Sequence, residues 1–388
     1  MDQPTTRKNA RIDVADVLRG LAVMGIIVLH SIEHFNFGSY PDTSAQSAWL
    51  NFTDKAIWDG LFFMFGGKAY AVFALLFGFS FFIQDNNQQM KGKDFRLRFC
   101  WRLILLFLFG NLNASFFTAE VLVLYSLVGF ILVPTCRLSD KTVLILACLL
   151  LIQPLPLYYT LRATFDPTYT PLTIPTRELW MTTYQSQMNG TFLETLRTNL
   201  WEGQLASLAW AWDHGRVFQT AALFLLGMLA GRRRLFLQEA LPVWNKICAG
   251  AIIAFFPLYG INILLPQFIE NRSILVPLSL IISSLANFAF MLMLVSGVLF
   301  MYYRTRMQSL LRKIIPYGKM SLTNYITQSI IGSFLFYHWG VGLHSHLTIT
   351  ASCLTGIVLF FLQWKCCDWW MKHHDHGLLE YLWKRATW

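Results

Sequence analysis

The sequence predicts an all-α protein, a polytopic transmembrane helical bundle of about ten spans with both termini in the cytoplasm. Of its 388 residues, 55% are hydrophobic and only 13% are charged, whereas a soluble domain carries about 25% charged residues. Several apolar runs reach the roughly 20 residues that cross a bilayer core as a helix. These runs do not alternate polar and apolar residues, as the strands of a spanning barrel do.

Basic residues are concentrated in alternate loops between the predicted helices. Twenty-three of the 31 Lys and Arg fall in segments that we assign to the cytoplasm, and five fall in outer loops. This asymmetry is the positive-inside signature, and it places both termini of a multi-pass membrane protein in the cytoplasm. The formal net charge of +10 therefore indicates topology and contact with membrane lipid, and it does not indicate nucleic-acid binding.

The apolar segments form one predicted domain over residues 1–388. Residues 1–13 and 372–388 are predicted cytoplasmic tails, and residues 161–215 a predicted extracytoplasmic segment whose length is typical of a lid or functional loop. In the sixth span, Gly227 and Gly231 have the small-xxx-small spacing that lets helices approach closely. The seven cysteines predict no disulfide framework. The spans are placed at about 14–32, 60–84, 101–116, 118–135, 141–160, 216–231, 246–268, 274–302, 320–340 and 348–370.

The first predicted helix carries polar residues that lipid does not tolerate well. A helix turns 100° per residue, so His30 lies within roughly 20° of the Arg19 face and about 16 Å further along the axis. Asp16 and His34 fall close to the same stripe. Each such group costs about 2.5–3.5 kcal/mol against lipid, so the stripe is predicted to face protein or water. In the alternative interpretation, Asp16 and Arg19 are a structural pair and His30 is an interfacial residue.

The second predicted helix contains the sequence FFMFGGKAYAVF, in which Gly66 and Gly67 precede Lys68. Two glycines predict a break where an unwound turn lines a cavity. A lysine at this depth is predicted to have a functional or pairing role. The structural alternatives are an ion pair with a carboxylate such as Asp54 or Asp59, or a side chain that extends to the interface.

Two more groups of polar residues lie within predicted spans. Asn113 and Glu120 stand near the outer end of the third and fourth helices, and Asn324 and Gln328 belong to the polar ninth helix, MSLTNYITQSI. Such side chains either bond between helices or line a polar cavity. Three histidines between 338 and 346 lack a carboxylate or cysteine at ligand spacing, so we expect no metal site.

Four motifs carry a resemblance to a known family. The sequences DVLRGLAVMGIIVLH, FGGKAYAVFALLFGFSF, IIPYGKMSLTNYITQSI and HGLLEYLWKRATW occur in this order over almost the whole chain. They resemble the YeiB family of bacterial inner-membrane proteins. The first helix is similar to that of the transmembrane acyltransferases, including the acyltransferase-3 family and the heparan-α-glucosaminide N-acetyltransferases. The acyltransferase-3 pattern is a basic residue, ten others and then His, which Arg19 and His30 match.

The resemblance implies a transmembrane acyltransferase that moves an acyl group, expected to be acetyl, from cytoplasmic acyl-CoA to a glycan or lipid-linked acceptor at the outer face. His30 is the candidate base, because a neutral imidazole can take a proton near pH 7. Arg19 would fix a donor phosphate or anchor Asp16, and Lys68 would stabilise an oxyanion. The candidate substrate-binding residues are Asp16, His34, Asn113, Glu120, Asn324 and Gln328.

Acyl-CoA enters this hypothesis as a co-substrate, and no tightly bound cofactor is expected. The alternative function is a small-solute transporter or exporter, with a midplane site at the broken second helix and the polar ninth helix. A non-catalytic scaffold would explain the packing but not the intramembrane Arg, Lys and His. A homo-oligomer is compatible with either function.

Overall fold

The computed structural model describes residues 12–37, 40–166, 168–171 and 174–388. Within these ranges the chain forms α-helices joined by short turns, and no strand occurs. Most of the predicted N-terminal tail, residues 1–11, lies outside the described residues. The helices of the first half are α1 Asp13–Ile32, α2 Ala48–Phe65, α3 Ala69–Gln89, α4 Arg96–Phe116, α5 Leu122–Val128, α6 Leu132–Thr135, α7 Asp140–Leu151, α8 Pro154–Phe165, α9 Thr176–Asn189 and α10 Phe192–Thr198.

The second half continues the same helical architecture. A π-helical stretch, Asn199–Gly203, joins α10 to the following helix. The remaining helices are α11 Gln204–Asp213, α12 Arg216–Arg232, α13 Leu241–Phe268, α14 Arg272–Arg304, α15 Gln308–Arg312, α16 Ile315–Lys319, α17 Ser321–Phe336, α18 Ile349–His373 and α19 Leu378–Thr387.

Each predicted span has a helical counterpart, and the predicted all-α bundle is confirmed. Among the described residues, six helical segments are long and apolar enough to cross a membrane: α1, α2 with α3, α4, the α13 segment, α14 and α18. The pair α7–α8 is a seventh if its 50° bend belongs to one span. The segment Leu122–Thr135 and the 17 and 16 residues of α12 and α17 are shorter. The count of ten spans therefore stays a prediction.

The contacts between helix ends lie at the two opposite ends of the bundle, as expected when consecutive helices alternate in direction. At the end that the charge pattern assigns to the cytoplasm, here called the inner end, Arg137 pairs with Asp85 at 3.0 Å, and Arg232 pairs with Asp140 at 3.0 Å. At the opposite, outer end, the Asp54 carboxylate accepts the Thr350 backbone N–H at 2.7 Å. The outer segment predicted at residues 161–215 contains α9, α10 and α11 and therefore has its own helical structure.

Helix α1 occupies the centre of the bundle. It packs against α3, α16, α17 and α18, and 15 of its 20 residues are buried. This environment satisfies the prediction that its polar stripe faces protein and not lipid.

Helices α3 and α12 run side by side at a close separation. Gly227 of α12 faces the Leu75 carbonyl, and Gly231 faces the Phe82 ring, with no room for a further side-chain atom. The small-xxx-small spacing therefore works as predicted. It fixes α3, and with it the turn at Gly67, against the outer end of α12.

Candidate functional site

The inner part of the α1 stripe is an ion pair linked to α3. Arg19 donates to the Asp16 carboxylate one turn earlier on the same helix. Its second terminal nitrogen donates to Ser80 Oγ of α3 at 2.6 Å. Asp16 is 1% exposed, so the guanidinium compensates a carboxylate that has left water. The Asp16–Arg19 pair of the alternative interpretation is therefore present.

The outer part of the stripe is an aromatic cage around His30. The His30 ring stacks on Phe117, which follows α4, with ring centroids 4.5 Å apart. His34 meets His30 edge to face at 5.2 Å, and it also lies beside Phe117. The Nδ1 atom of His30 is buried and has no hydrogen-bond partner within the described ranges. A buried nitrogen without a hydrogen-bond partner needs an explanation, such as a water molecule, a bound ligand or a catalytic role.

A buried carboxylate and a buried amide lie close in sequence to Phe117, the ring that stacks on His30. Asn113 donates through Nδ2 to Glu120, and Glu120 also accepts the Leu122 backbone N–H. The backbone carbonyl of Asn113 also accepts the Phe117 backbone N–H. Asn113 therefore lies one helical turn before the Phe117 ring, which stacks on His30. Its side-chain Oδ1 is buried and unpaired among the residues that the structure describes.

Helix α17 brings Gln328 into the same outer part of the bundle. Its face packs on α1 and α4, and Gly332 lies against the Phe35 ring. Gln328 is 1% exposed, and neither its Nε2 nor its Oε1 has a partner in the described part of the chain. With His30 Nδ1 and Asn113 Oδ1, four buried polar atoms of this region lack partners. We call His30, Asn113, Glu120 and Gln328 the outer polar cluster.

Lys68 occupies a separate position at the predicted helix break. Gly66 ends α2, and Gly67 has a φ of +71°, so the chain turns before α3. Lys68 is 8% exposed, and its ammonium group donates to the Phe62 carbonyl at 3.4 Å. The alternative ion pair with Asp54 or Asp59 does not form among the described residues: Asp54 accepts from Thr350, and Asp59 pairs with Lys55.

A second cation lies on the other side of this turn. The Arg216 guanidinium reaches to 3.4 Å from the position that a Cβ of Gly67 would take, and it stacks over the Tyr70 ring at 4.5 Å. It donates to Gln219 at 3.1 Å, and no carboxylate pairs with it among the described residues. A buried lysine and a half-buried arginine, neither paired with a carboxylate in the described chain, favour an anion as the missing partner. The sequence analysis did not select Arg216.

Asn324 is used in helix packing. It donates to the Tyr317 carbonyl at 2.9 Å, and its Oδ1 accepts from Cys367 Sγ of α18 at 3.1 Å. The Asn324 carbonyl accepts from Gln363 at 3.3 Å. These bonds join α16, α17 and α18, which is the structural role that the sequence left open for buried amides.

A narrow cavity lies beside Arg19 in the inner part of the bundle. It encloses about 110 Å³ between α1, α3, α4, α5, α17 and α19. Its polar lining comes from Arg19, Ser80, Gln84, Arg102 and Ser321, toward the inner end. Along α3 it extends from Gln84 to Phe73, a distance of about 16 Å at 1.5 Å per residue. It ends at Leu122, whose backbone N–H is bound by Glu120 of the outer polar cluster.

The structure thus brings His30, His34, Asn113, Glu120 and Gln328 to one region and places Asp16 with Arg19 at another. Lys68 belongs to neither. Among the described residues, no group of three or more His, Cys, Asp or Glu is arranged to hold a metal ion.

Long apolar helices around buried charged and polar groups define a polytopic α-helical membrane protein. Residues 230–388 match the sequence profile of a family described as "Protein of unknown function (DUF418)". The chain is 28% identical to the "Uncharacterized protein YxaH" of Bacillus subtilis, over 99% of this chain and 96% of the relative. It is 22% identical to the "Uncharacterized 39.9 kDa protein in amylase 3'region" of Bacillus acidopullulyticus, over 97% of this chain and 94% of the relative. No solved structure matches the chain.

Proposed function

We propose that the protein is a transmembrane acyltransferase of the bacterial inner membrane, in which His30 acts as the general base. The observation that carries this proposal is the buried Nδ1 of His30, which lacks a partner within the described ranges and belongs to a group of buried polar atoms that also lack partners there. The acyltransferase-like motif of the first helix supports it, as does the position of Arg19 some 16 Å nearer the inner end. The same proposal includes a relation to the YeiB family, which the four motifs of the chain resemble.

In the proposed reaction, an acceptor hydroxyl or amine in the outer polar cluster gives its proton to His30. The acceptor atom attacks the thioester carbonyl of acyl-CoA, a new C–O or C–N bond forms, and the C–S bond breaks. CoA leaves as a thiolate, which takes up a proton, so that no oxidant or reductant is needed. Gln328 and Asn113 supply donors and acceptors that position the acceptor. Lys68 lies apart from this cluster, so it has no part in the step at His30.

The test uses the full chain in nanodiscs with labelled acetyl-CoA, and it measures released CoA as free thiol. General base catalysis contributes about 10²- to 10⁴-fold, so His30→Ala and His30→Asn should reduce CoA release by at least about 100-fold. His338→Ala is the matched control, because the His338 side chain is exposed at the outer end. Unchanged CoA release in folded His30→Asn protein rules out His30 as the base.

A small-solute transporter is the second candidate, and the Lys68–Arg216 pair of cations favours an anionic solute. The broken α2–α3 helix has the form of a discontinuous helix that binds substrate in transporters. Uptake of a labelled anion into vesicles that contain only this protein, without release of CoA from acetyl-CoA, would favour transport over acyl transfer.

A further inference from the structure

Arg102 is a buried cation whose charge has no counterpart. It is 8% exposed on the inner part of α4. Its guanidinium stacks over the Trp383 ring at 4.0 Å and donates to Thr387 Oγ1 at 3.3 Å. No carboxylate within the described ranges forms an ion pair with it. A buried guanidinium held only by a ring and a hydroxyl is costly unless an anion joins it.

The cavity places this cation beside a second one. Arg19 and Arg102 both line it, together with the neutral donors and acceptors Ser80, Gln84 and Ser321. Arg19 shares its charge with Asp16, which is not part of the lining, so the two charged residues that line the cavity are both cations. A guanidinium fork is suited to bidentate recognition of phosphate or carboxylate oxygens.

The other half of the cavity is apolar. Phe73, Phe77, Leu106 and Leu122 line it toward the outer end. A volume of about 110 Å³ holds on the order of ten water-sized groups. That volume accepts an anionic head group and a few carbon atoms, and it excludes a whole nucleotide.

We propose that this cavity binds a small anionic amphiphile, with a phosphate group between Arg19 and Arg102 and a short acyl or alkyl chain along Phe73, Phe77 and Leu106. The lining sets the orientation of the ligand, because the cations lie at one end of the cavity and the aromatic rings lie at the other. The proposal does not depend on the proposed reaction, because it concerns binding only. The chain of the ligand would point toward Leu122 and the outer polar cluster.

The C-terminal helix closes the inner end of this cavity. Trp383 lines it and donates through Nε1 to the Arg102 carbonyl at 3.1 Å. Thr387 of the same helix holds the guanidinium. Helix α19 is therefore expected to become more firmly ordered when the cavity is occupied.

The experiment measures equilibrium binding of labelled butyl phosphate to the full chain in phosphatidylcholine nanodiscs. We expect one saturable site per chain, weaker competition by inorganic phosphate and none by butanol. Arg102→Gln should weaken binding at least tenfold and Arg102→Lys less. Arg96→Gln, a variant of an exposed arginine on the same helix, should have no effect. No saturable binding by the wild-type chain, or equal binding by folded Arg102→Gln, overturns the proposal.

A measurement on the unmodified chain covers the case in which Arg102→Gln fails to fold. Phenylglyoxal modifies accessible arginines, and butyl phosphate should protect Arg102 but not Arg96 from it. Nanodiscs of phosphatidylglycerol distinguish the source of the phosphate: if a lipid head group is the natural ligand, they protect Arg102 without added butyl phosphate, whereas a soluble ligand leaves it reactive in both lipids. The site is contradicted if butyl phosphate leaves the modification of Arg102 unchanged in phosphatidylcholine and phosphatidylglycerol also fails to protect it.

Discussion

Three hydrogen bonds of Glu380 attach α19 to α17, and they set the loss of stability that we predict when this residue is replaced. The Glu380 carboxylate accepts the backbone N–H groups of Leu322 and Thr323 at 2.7 and 3.1 Å, and the Thr323 hydroxyl at 2.6 Å. These N–H groups belong to the first turn of α17, where no helical carbonyl is available to them. Glu380 therefore caps α17 from a different part of the chain.

Replacing Glu380 by Ala leaves two backbone donors of a buried helix end without an acceptor. Loss of a cap costs about 0.5–2 kcal/mol, and an unpaired buried donor about 1–3 kcal/mol. We expect a loss of about 2 kcal/mol in the free energy that holds α19 in place, which corresponds to about 30-fold in the opening equilibrium at 1.4 kcal/mol per tenfold. Glu380→Gln keeps one acceptor oxygen and should lose about half of this free energy.

Hydrogen exchange followed by mass spectrometry measures this opening directly. Amides in peptides that cover 378–387 should exchange about 30-fold faster in Glu380→Ala, while amides in the middle of α14 should keep the wild-type rate. Glu270→Ala, which removes an exposed carboxylate, is the control. Equal exchange of α19 in Glu380→Ala and wild type would refute the assignment of Glu380 as the cap.

Three further predictions concern packing, backbone conformation and pH. Gly227→Ala forces a methyl group against the Leu75 carbonyl and should destabilise the fold by about 1–3 kcal/mol; Gly250→Ala, where nothing lies within 4 Å, should be neutral or slightly stabilising in the same thermal unfolding assay. Gly67→Ala places a side chain at a φ of +71° and should lose about 1–2 kcal/mol, with normal stability counting against the left-handed turn before Lys68. Burial raises the pKa of Glu380 above its ordinary value, so the folded chain holds this proton more tightly than the unfolded chain. The contribution of this carboxyl to stability is then complete below its unfolded pKa and declines as the pH rises through the folded pKa. Between about pH 5 and about pH 8, the midpoint temperature of thermal unfolding should therefore fall further in the wild type than in Glu380→Gln. The same dependence of this midpoint on pH in both proteins would contradict the prediction.

Local patterns in the sequence were sufficient to predict the apolar helices and the polar residues within them. Hydropathy located the apolar helices of the predicted spans, and the two glycines located the break before Lys68. The spacing of Asp16 and Arg19 made their pair the structural alternative. The spacing of Gly227 and Gly231 predicted close contact. Each of these inferences rests on residues within a turn or two of each other, where helix geometry alone decides what is adjacent.

The parts that the sequence analysis missed depend on contacts between distant segments. Arg102 was counted with the basic inner loop, because nothing local shows that α19 covers it with Trp383. Arg216 was one of the few cations assigned to neither the inner nor the outer loops, and that exception was a usable signal. Residues 372–388 were interpreted as a solvated tail. The docking of α19 through Glu380 appears only when α17 is in place.

The acyl-transfer account is tested most directly by a sided assay in vesicles that contain only this protein. Acetyl-CoA labelled in the acetyl group is supplied on the side of the inner end, and both sides are then sampled. The account predicts free CoA on the supplied side, acetylated product on the opposite side, and loss of both in His30→Asn but not in His338→Ala. Release of CoA that is unchanged in folded His30→Asn, or transfer of a solute across the membrane with acetyl-CoA left intact, contradicts it.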